Sequence, residues 1–290
     1  MDKFSIWHNL FPVGQGAMSQ VYSAYDPQGN KVAIKFLHQN FINNSEVKSR
    51  FIREANILKS LQIGGIANIL DFDFEIDQPF IVTEFIEGLT LDQVIQADGP
   101  YDLDQAIEIF TRLASTISVL HDNLVYHRDI KPANIIISKS GPVLIDFSIS
   151  NFDGATNLTQ IGSVVGTPEY LAPEAYLGDN TSPSVDWWGF SATLCYALTS
   201  KVPFGTGQTI LANIQAKNID LSGLGLGAKQ ILTEALEPQI ANRSGAWETL
   251  EALASLDKKH RISDNKAIIH HILVVFMLVI SGLLLFYIFQ

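Results

Sequence analysis

Residues 127–134 read His-Arg-Asp-Ile-Lys-Pro-Ala-Asn, and Asp146-Phe147 stands twelve residues beyond Asn134. No other stretch constrains the chain as tightly. Asn134–Ile137 and Val143–Ile145 read as two short apolar strands, and they carry Asn134 and Asp146. That spacing gathers a proton acceptor (Asp129), a lysine (Lys131) and two metal-binding side chains (Asn134 and Asp146) around one reacting centre. Any one of them could be an ordinary loop residue. All of them in order make a specific signal.

Composition narrows what surrounds this centre. The 290 residues hold one large domain or two small ones, and a hydrophobic content of 47% is ample for a core. The formal net charge is −11, so the chain has no general attraction for the phosphate backbone of nucleic acid. Cys195 is the only cysteine, which excludes an intrachain disulfide. It lies in the apolar run Phe190–Leu198 and is expected to be a buried thiol in a reducing compartment.

The two ends differ. Met1-Asp2-Lys3-Phe4 lacks the basic and apolar regions of a signal peptide. From Ile272 to Phe289 there is no charged residue; as a helix this run would be about 27 Å long, close to the hydrocarbon thickness of a bilayer. Ile268 and Ile269 can extend it. Lys258, Lys259, Arg261 and Lys266 precede it, which places the preceding domain on the cytoplasmic side. We expect a basic juxtamembrane linker over 257–267 and a single transmembrane helix over 268–290, acting as a tail anchor with no extracytoplasmic sensor. A core helix is the alternative reading of this run.

Between the ends, residues from about Leu10 to Leu37 read as short strands, with a turn at Asp26-Pro27-Gln28-Gly29. Phe51, Ala55, Leu58 and Leu61 mark one face of a helix, and 71–74 and 80–82 two more strands. Ile107, Phe110, Leu113, Ala114, Ile117 and Leu120 give a helix over 104–122, with Asp102 and Gln105 spaced for a capping box. Beyond Tyr170 the chain reads as mostly helical. The fold class is therefore α+β, with strands in the first part and helices in the second.

Further motifs occur in a consistent order. Val13-Gly14-Gln15-Gly16 opens a glycine-rich segment that runs to Tyr22, with Ser19 where a third glycine is usual. Val32-Ala33-Ile34-Lys35 follows, then Glu54 nineteen residues after Lys35, then Thr83-Glu84-Phe85-Ile86-Glu87-Gly88. Beyond Asp146 come Gly166-Thr167-Pro168-Glu169-Tyr170-Leu171-Ala172-Pro173-Glu174, Asp186-Trp187-Trp188-Gly189 and Arg243. In these motifs the chain resembles the protein-kinase family, and in particular the eukaryotic-like (Hanks-type) serine/threonine kinases of bacteria. The resemblance covers roughly residues 8 to 256.

The resemblance implies a two-lobed protein-kinase fold over 1–256, with an N-lobe over about 1–86, a C-lobe over about 87–256 and a cleft between them. It implies ATP and Mg²⁺, or Mn²⁺ in its place. Gly14 and Gly16 would face the phosphates. Val21 and Ala33 above and Ile136 below would enclose the adenine, Thr83 would back the pocket, and the backbone of Glu84 and Ile86 would read the base. Lys35, held by Glu54, would touch the α- and β-phosphates. Asp129 would take the substrate hydroxyl proton, Lys131 would stabilise the γ-phosphate, and Asn134 and Asp146 would hold the metal.

Glu174 would pair with Arg243, and Asp186 would accept hydrogen bonds from the backbone around His127-Arg128. Arg128 could capture a phosphate on Thr159, with Thr156 and Ser163 as plain loop hydroxyls, and Thr167 would help select serine or threonine. Ser148 replaces the usual glycine after Asp146-Phe147, so the loop is expected to flip less freely. The implied function is ATP-dependent phosphorylation of serine or threonine in protein substrates, with autophosphorylation, in a transient dimer, at a bacterial plasma membrane. The alternatives are a kinase-like scaffold of weak activity at the membrane, and a small-molecule kinase on the same fold. The intact segment from Gly166 to Glu174 disfavours the latter.

Overall fold

The computed structural model describes residues 6–15, 19–37, 52, 55–76, 79–147, 168–176, 178 and 182–258. Gly16, Glu54, Ser148, Thr156, Thr159, Ser163, Thr167 and residues 259–290 lie outside them. Among the described residues no helix is long and apolar enough to cross a membrane; the apolar run 268–290 is not among those residues.

Five antiparallel strands form the first part: β1 (His8–Gln15), β2 (Ser19–Tyr25), β3 (Lys31–Leu37), β4 (Ile69–Asp73) and β5 (Phe80–Glu84), in the order β1-β2-β3-β5-β4. The period-2 alternation of β3 explains the sheet's two faces. Val32, Ile34 and Phe36 point one way and pack with Trp7, Ala24, Phe80 and Val82 in a small core. Ala33 and Lys35 point the other way, with Ile81 and Thr83 from the paired strand β5. The expected turn joins β2 to β3. Asp26 accepts hydrogen bonds from the amides of Gln28 (2.9 Å) and Asn30 (2.7 Å), and Gly29 takes a φ of 85° that a side chain would resist.

A short helical stretch over 55–60 (α1) follows, with Ala55 and Leu58 buried on the expected face. Next come β6 (Leu89–Thr90), α2 (Leu91–Asp98) and α3 (Leu103–Asp122). The Asp102–Gln105 capping box forms in both directions, the Gln105 amide lying 2.8 Å from Asp102 Oδ1. A second box, Thr90 with Gln93, starts α2. The strands β7 (Ile135–Ser138) and β8 (Gly141–Leu144) form a hairpin flanked by β6.

The remaining helices are α4 (Pro173–Tyr176), α5 (Pro183–Thr199), α6 (Ile210–Gln215), α7 (Leu226–Ala235) and α8 (246–258). All residues of α5 from Val185 to Leu198 are buried except Trp187, which is why this helix shows no amphipathic pattern. It packs on α3, with the rings of Phe110 and Phe190 edge to face at 5.2 Å. Cys195, one turn before the end of α5, is fully buried, and burial pushes its thiol up.

The two parts are stitched together by backbone. Leu144 at the end of β8 donates to Gly65 O (2.8 Å) and accepts from the Ala67 amide (2.9 Å). Gly65 has a φ of 86°, and a Cβ there would collide with the Thr116 hydroxyl of α3. Only glycine lets this segment sit so close to the helix. The result is the expected two-lobed arrangement, a sheet above and helices below.

Candidate active site

A cleft of about 390 Å³ lies between the sheet and the β6-β7-β8 layer. Its ceiling is Val13, Gly14, Val21 and Ala33, its back is Ile81 and Thr83, and its floor includes Ala133 and Ile136. Glu84, Phe85, Ile86 and Gly88 run along one side where the chain crosses between the parts. Lys35 and Asp146 also line the cleft. The expected nucleotide-facing residues Gly14, Val21, Ala33, Lys35, Thr83, Glu84, Ile86 and Ile136 therefore share one cavity. Gly16 and Glu54 lie outside the described residues.

The crossing is fixed by side-chain and backbone bonds. Glu84 Oε2 accepts from Asn68 Nδ2 (3.1 Å), and the Glu84 amide donates to Asn68 O (3.1 Å). Gly88, at a φ of 150°, sits so tightly on Ile137 O that no Cβ fits. Lys31 stands over the Phe85 ring, 3.8 Å from its centre.

Asp129 lies on the loop before β7. Lys131 Nζ stands 2.8 Å from its Oδ2, and Asn134 Nδ2 donates to both Asp129 Oδ2 and Asp129 O, each at 2.8 Å. Both partners converge on one carboxylate oxygen, so Oδ1 takes no bond from the described residues. Lys35 Nζ pairs with Asp146 Oδ1 at 3.0 Å. Ile145 N donates to Asn134 O (2.9 Å), which sets the Asn134 and Asp146 segments side by side.

The loop is held from below by Asp186, in the first turn of α5. Its Oδ1 accepts from the Arg128 amide (2.6 Å), and its Oδ2 accepts from the His127 amide (2.9 Å) and meets His121 Nε2 (2.8 Å). These bonds support Arg128 at a φ of 64°, a strained value for a residue with a Cβ. Asp146 is likewise left-handed, at 57°. His127 is fully buried, and burial pushes its imidazole below the ordinary value against the pull of Asp186, Asp129 and Asp146. The neutral ring donates from Nε2 to Ile145 O (3.0 Å), leaving Nδ1 to accept from the Asp129 amide at 3.4 Å. Phe147 packs on that ring, with centroids 4.8 Å apart. One buried histidine thus ties the Asp129 loop to the Asp146 segment.

The expected Glu174–Arg243 pair also forms, with Nη1–Oε1 at 2.8 Å and Nη2–Oε2 at 3.0 Å. Sequence reasoning did not reach Ala67, Ile69, Gln93 or Ile145 as cleft walls, nor the Asn68–Glu84 bonds. The spacing of Thr90 and Gln93 as a capping box was a readable signal for Gln93. Ala67 and Ile69 carry no local signal.

Chemically, the site offers an apolar slot for a flat ring, a lysine–carboxylate pair on its wall and, on the loop before β7, a carboxylate positioned by Lys131 and Asn134. The protein kinase domain family profile matches residues 7–273. A probable serine/threonine-protein kinase PknB of Lactococcus lactis is 38% identical over 196 residues, which cover 66% of this chain and 31% of that protein. The serine/threonine-protein kinase PrkC of Bacillus subtilis is 37% identical over 210 residues, 71% of this chain and 32% of that protein. The chain thus spans about a third of the length of these curated relatives. The crystal structure of Rad53 residues 1–466 in complex with AMP-PNP superposes with a TM-score of 0.70 at 24% identity, covering 85% of this chain and 64% of that one, a likeness of fold. With the motifs, the two-part architecture and the profile match in agreement, this chain belongs to the protein kinase family.

Proposed function

We propose that this chain is an ATP-dependent protein serine/threonine kinase, able to phosphorylate itself and tethered to a membrane by residues 268–290. The observation that carries this reading is the convergence of Lys131 and Asn134 on one oxygen of Asp129, beside the Lys35–Asp146 pair. Asp129 Oδ1 is left to accept the hydrogen bond of a serine or threonine hydroxyl and orient it in line with the γ-phosphoryl group. Lys131 offsets charge developing on that group, and Lys35 reaches the inner phosphates.

Adenine fits between Val21 and Ala33 above and Ile136 below, with the backbone of Glu84 and Ile86 along its polar edge. At Gly14 even a Cβ would find only Val21 Cβ at 3.9 Å, so the backbone there is open to a close approach by phosphate. The residues present fit a hard divalent cation such as Mg²⁺ or Mn²⁺. Asn134 commits its NH₂ to Asp129, which leaves the amide oxygen as its ligand, and Asp146 adds carboxylate oxygen. When bound, the cation neutralises phosphate charge.

The full chain in lipid nanodiscs, given radiolabelled ATP and Mg²⁺, should place label on serine or threonine of itself or of an added protein. Asp129→Asn should lower transfer by about 10²-fold or more while nucleotide still binds. Nucleotide binding without any transfer by the wild type would instead favour a tethered scaffold.

A further inference from the structure

The helices α7 and α8 run antiparallel. Ser244 N donates to Glu234 O (3.0 Å) at one end, and Gly227 lies so close to Leu256 that an added Cβ would meet its side chain at 2.9 Å at the other. The chain therefore leaves α8 at Lys258 beside the loop that starts α7. That loop reads Ser222-Gly223-Leu224-Gly225-Leu226-Gly227, and Leu226 is 86% exposed, more than any other large apolar residue of the described chain. Gly223 and Gly225 have open space around them. From Leu221 to Thr233 the one charged residue is Lys229, and the nearby Asp220 faces Lys201 at 3.6 Å.

Ten residues lead from Lys258 to Ile268, a reach of about 35 Å at full extension. Lys258, Lys259, Arg261 and Lys266, against Asp264 alone, give that stretch a net positive charge that favours an anionic lipid surface. No residue of α6, α7 or α8 lines the cleft, so a membrane against this face leaves the cleft open.

We propose that the 222–227 loop is a membrane-docking surface, with Leu226 seated at the boundary between headgroups and acyl chains of an anionic bilayer. This rests on the reading of 268–290 as a membrane span. An apolar tip beside a stretch of net positive charge is the chemistry of an interfacial contact. The docking would fix how the catalytic part stands on the membrane instead of leaving it on a free tether.

Cys195 is fully buried, so a thiol label goes to an introduced cysteine. Leu226→Cys and Leu124→Cys in the full chain supply the two sites. Leu124 is 79% exposed and lies at the other end of α5, near the His121–Asp186 contact, whereas the loop meets Lys201 just beyond the C-terminal end of α5. In nanodiscs of phosphatidylcholine with about a third phosphatidylglycerol, headgroup-level nitroxide lipid should quench the label at 226 roughly twofold or more and leave that at 124 nearly unchanged. Adding Leu226→Asp to a control labelled at Gly225→Cys, an exposed position with open space for a side chain, should abolish quenching there without releasing the protein from the disc. Equal quenching at 226 and 124 in discs that retain the protein would overturn the docking while leaving the tether intact. A label at 226 shielded from water but insensitive to lipid nitroxide would mean that the chain's own later residues cover the loop, and would also overturn it. Failure of the chain to stay with lipid at all would remove the tether itself.

Discussion

Glu174 and Arg243 stand 69 residues apart in the chain and meet edge to edge, with two parallel bonds of 2.8 and 3.0 Å. Every remaining polar atom of the pair is also used. Ser184 Oγ donates to Glu174 Oε1 (2.9 Å), and Arg243 Nε donates to Glu237 O (3.0 Å). The guanidinium lies over the Trp188 ring at 4.8 Å. A buried pair contributes little over an apolar substitute, but breaking one side is costly because a charge is left unpaired. Arg243→Met should therefore lose about 3–5 kcal/mol in urea unfolding. Adding Glu174→Leu should recover part of that loss. A double variant no more stable than the single would show that the lost term is packing, not charge.

The same pair predicts an acid response. Burial pushes the Glu174 carboxyl up, but the bonds from Arg243 outweigh it and hold the group below its ordinary 4.5. The folded state thus binds fewer protons than the unfolded one. Its contribution is complete above the unfolded value and is lost as pH falls through the lower folded one. Wild-type stability should decline more steeply than that of Glu174→Gln between about pH 5 and pH 3. Parallel curves for the two proteins would refute the linkage.

Asp186 offers a different test, since it serves two backbone amides and one imidazole from a position that is 1% exposed. Asp186→Asn keeps one oxygen for two buried donors, and Asp186→Ala keeps none. Leaving buried donors unpaired costs about 1–3 kcal/mol each, so stability should fall in the order Asp, Asn, Ala. The strained Arg128 backbone would relax, carrying Asp129 with it. Turnover should fall by about tenfold or more in Asp186→Asn while KM for ATP changes little, because the cleft walls come from other segments. A fall in nucleotide affinity as large as the fall in turnover would place the effect elsewhere.

How much of this was readable beforehand depends on the range of the signal. Local signals carried through: the Asp26 turn, the Asp102–Gln105 box, the buried face of α3 and the burial of Cys195 follow from neighbours in the chain. The resemblance supplied the long-range pairs, Glu174 with Arg243 and Asp186 with the 127–128 backbone, which no periodicity could have predicted. What stayed hidden is the fit of distant backbones. Nothing near Gly65 in the sequence announces that Thr116 will press on it, or that Leu144 will bond on both sides of Ile66. The bounds of helix α5, within a stretch expected to be mostly helical, were hidden for another reason: buried nearly all round, it has no polar face to set a period.

Gly189 is such a hidden contact with a functional edge. A Cβ on it would meet Ile130 O at 2.8 Å and Ile130 Cβ at 3.2 Å, in the loop right after Asp129. Two effects compete in Gly189→Ala. Alanine favours the helix by about 1 kcal/mol, and the clash against backbone costs about 1–3 kcal/mol. The clash should win, since a carbonyl cannot swing aside as a side chain can. We expect a net loss of about 1–2 kcal/mol in thermal unfolding and a drop in turnover. A stabilised Gly189→Ala would show that α5 and the loop can part at no cost.

Asn134 separates holding Asp129 from holding a cation. Its NH₂ donates twice to Asp129, and the proposed function gives its oxygen to a cation. Asn134→Asp keeps an oxygen ligand but replaces the donor with a carboxylate facing Asp129, and two such groups in contact resist ionising together. If the residue served only the cation, this variant would retain turnover and bind Mg²⁺ at least as well. If the NH₂ orients Asp129, turnover should fall by about 10²-fold even at saturating Mg²⁺. Its pH–rate profile should shift towards alkaline pH, because the crowded pair holds a proton longer. Asn134→Ala, which removes both functions, should lose turnover and raise the half-saturating Mg²⁺ concentration by about tenfold. Full turnover in Asn134→Asp at neutral pH would leave Lys131 as the sole group that positions Asp129.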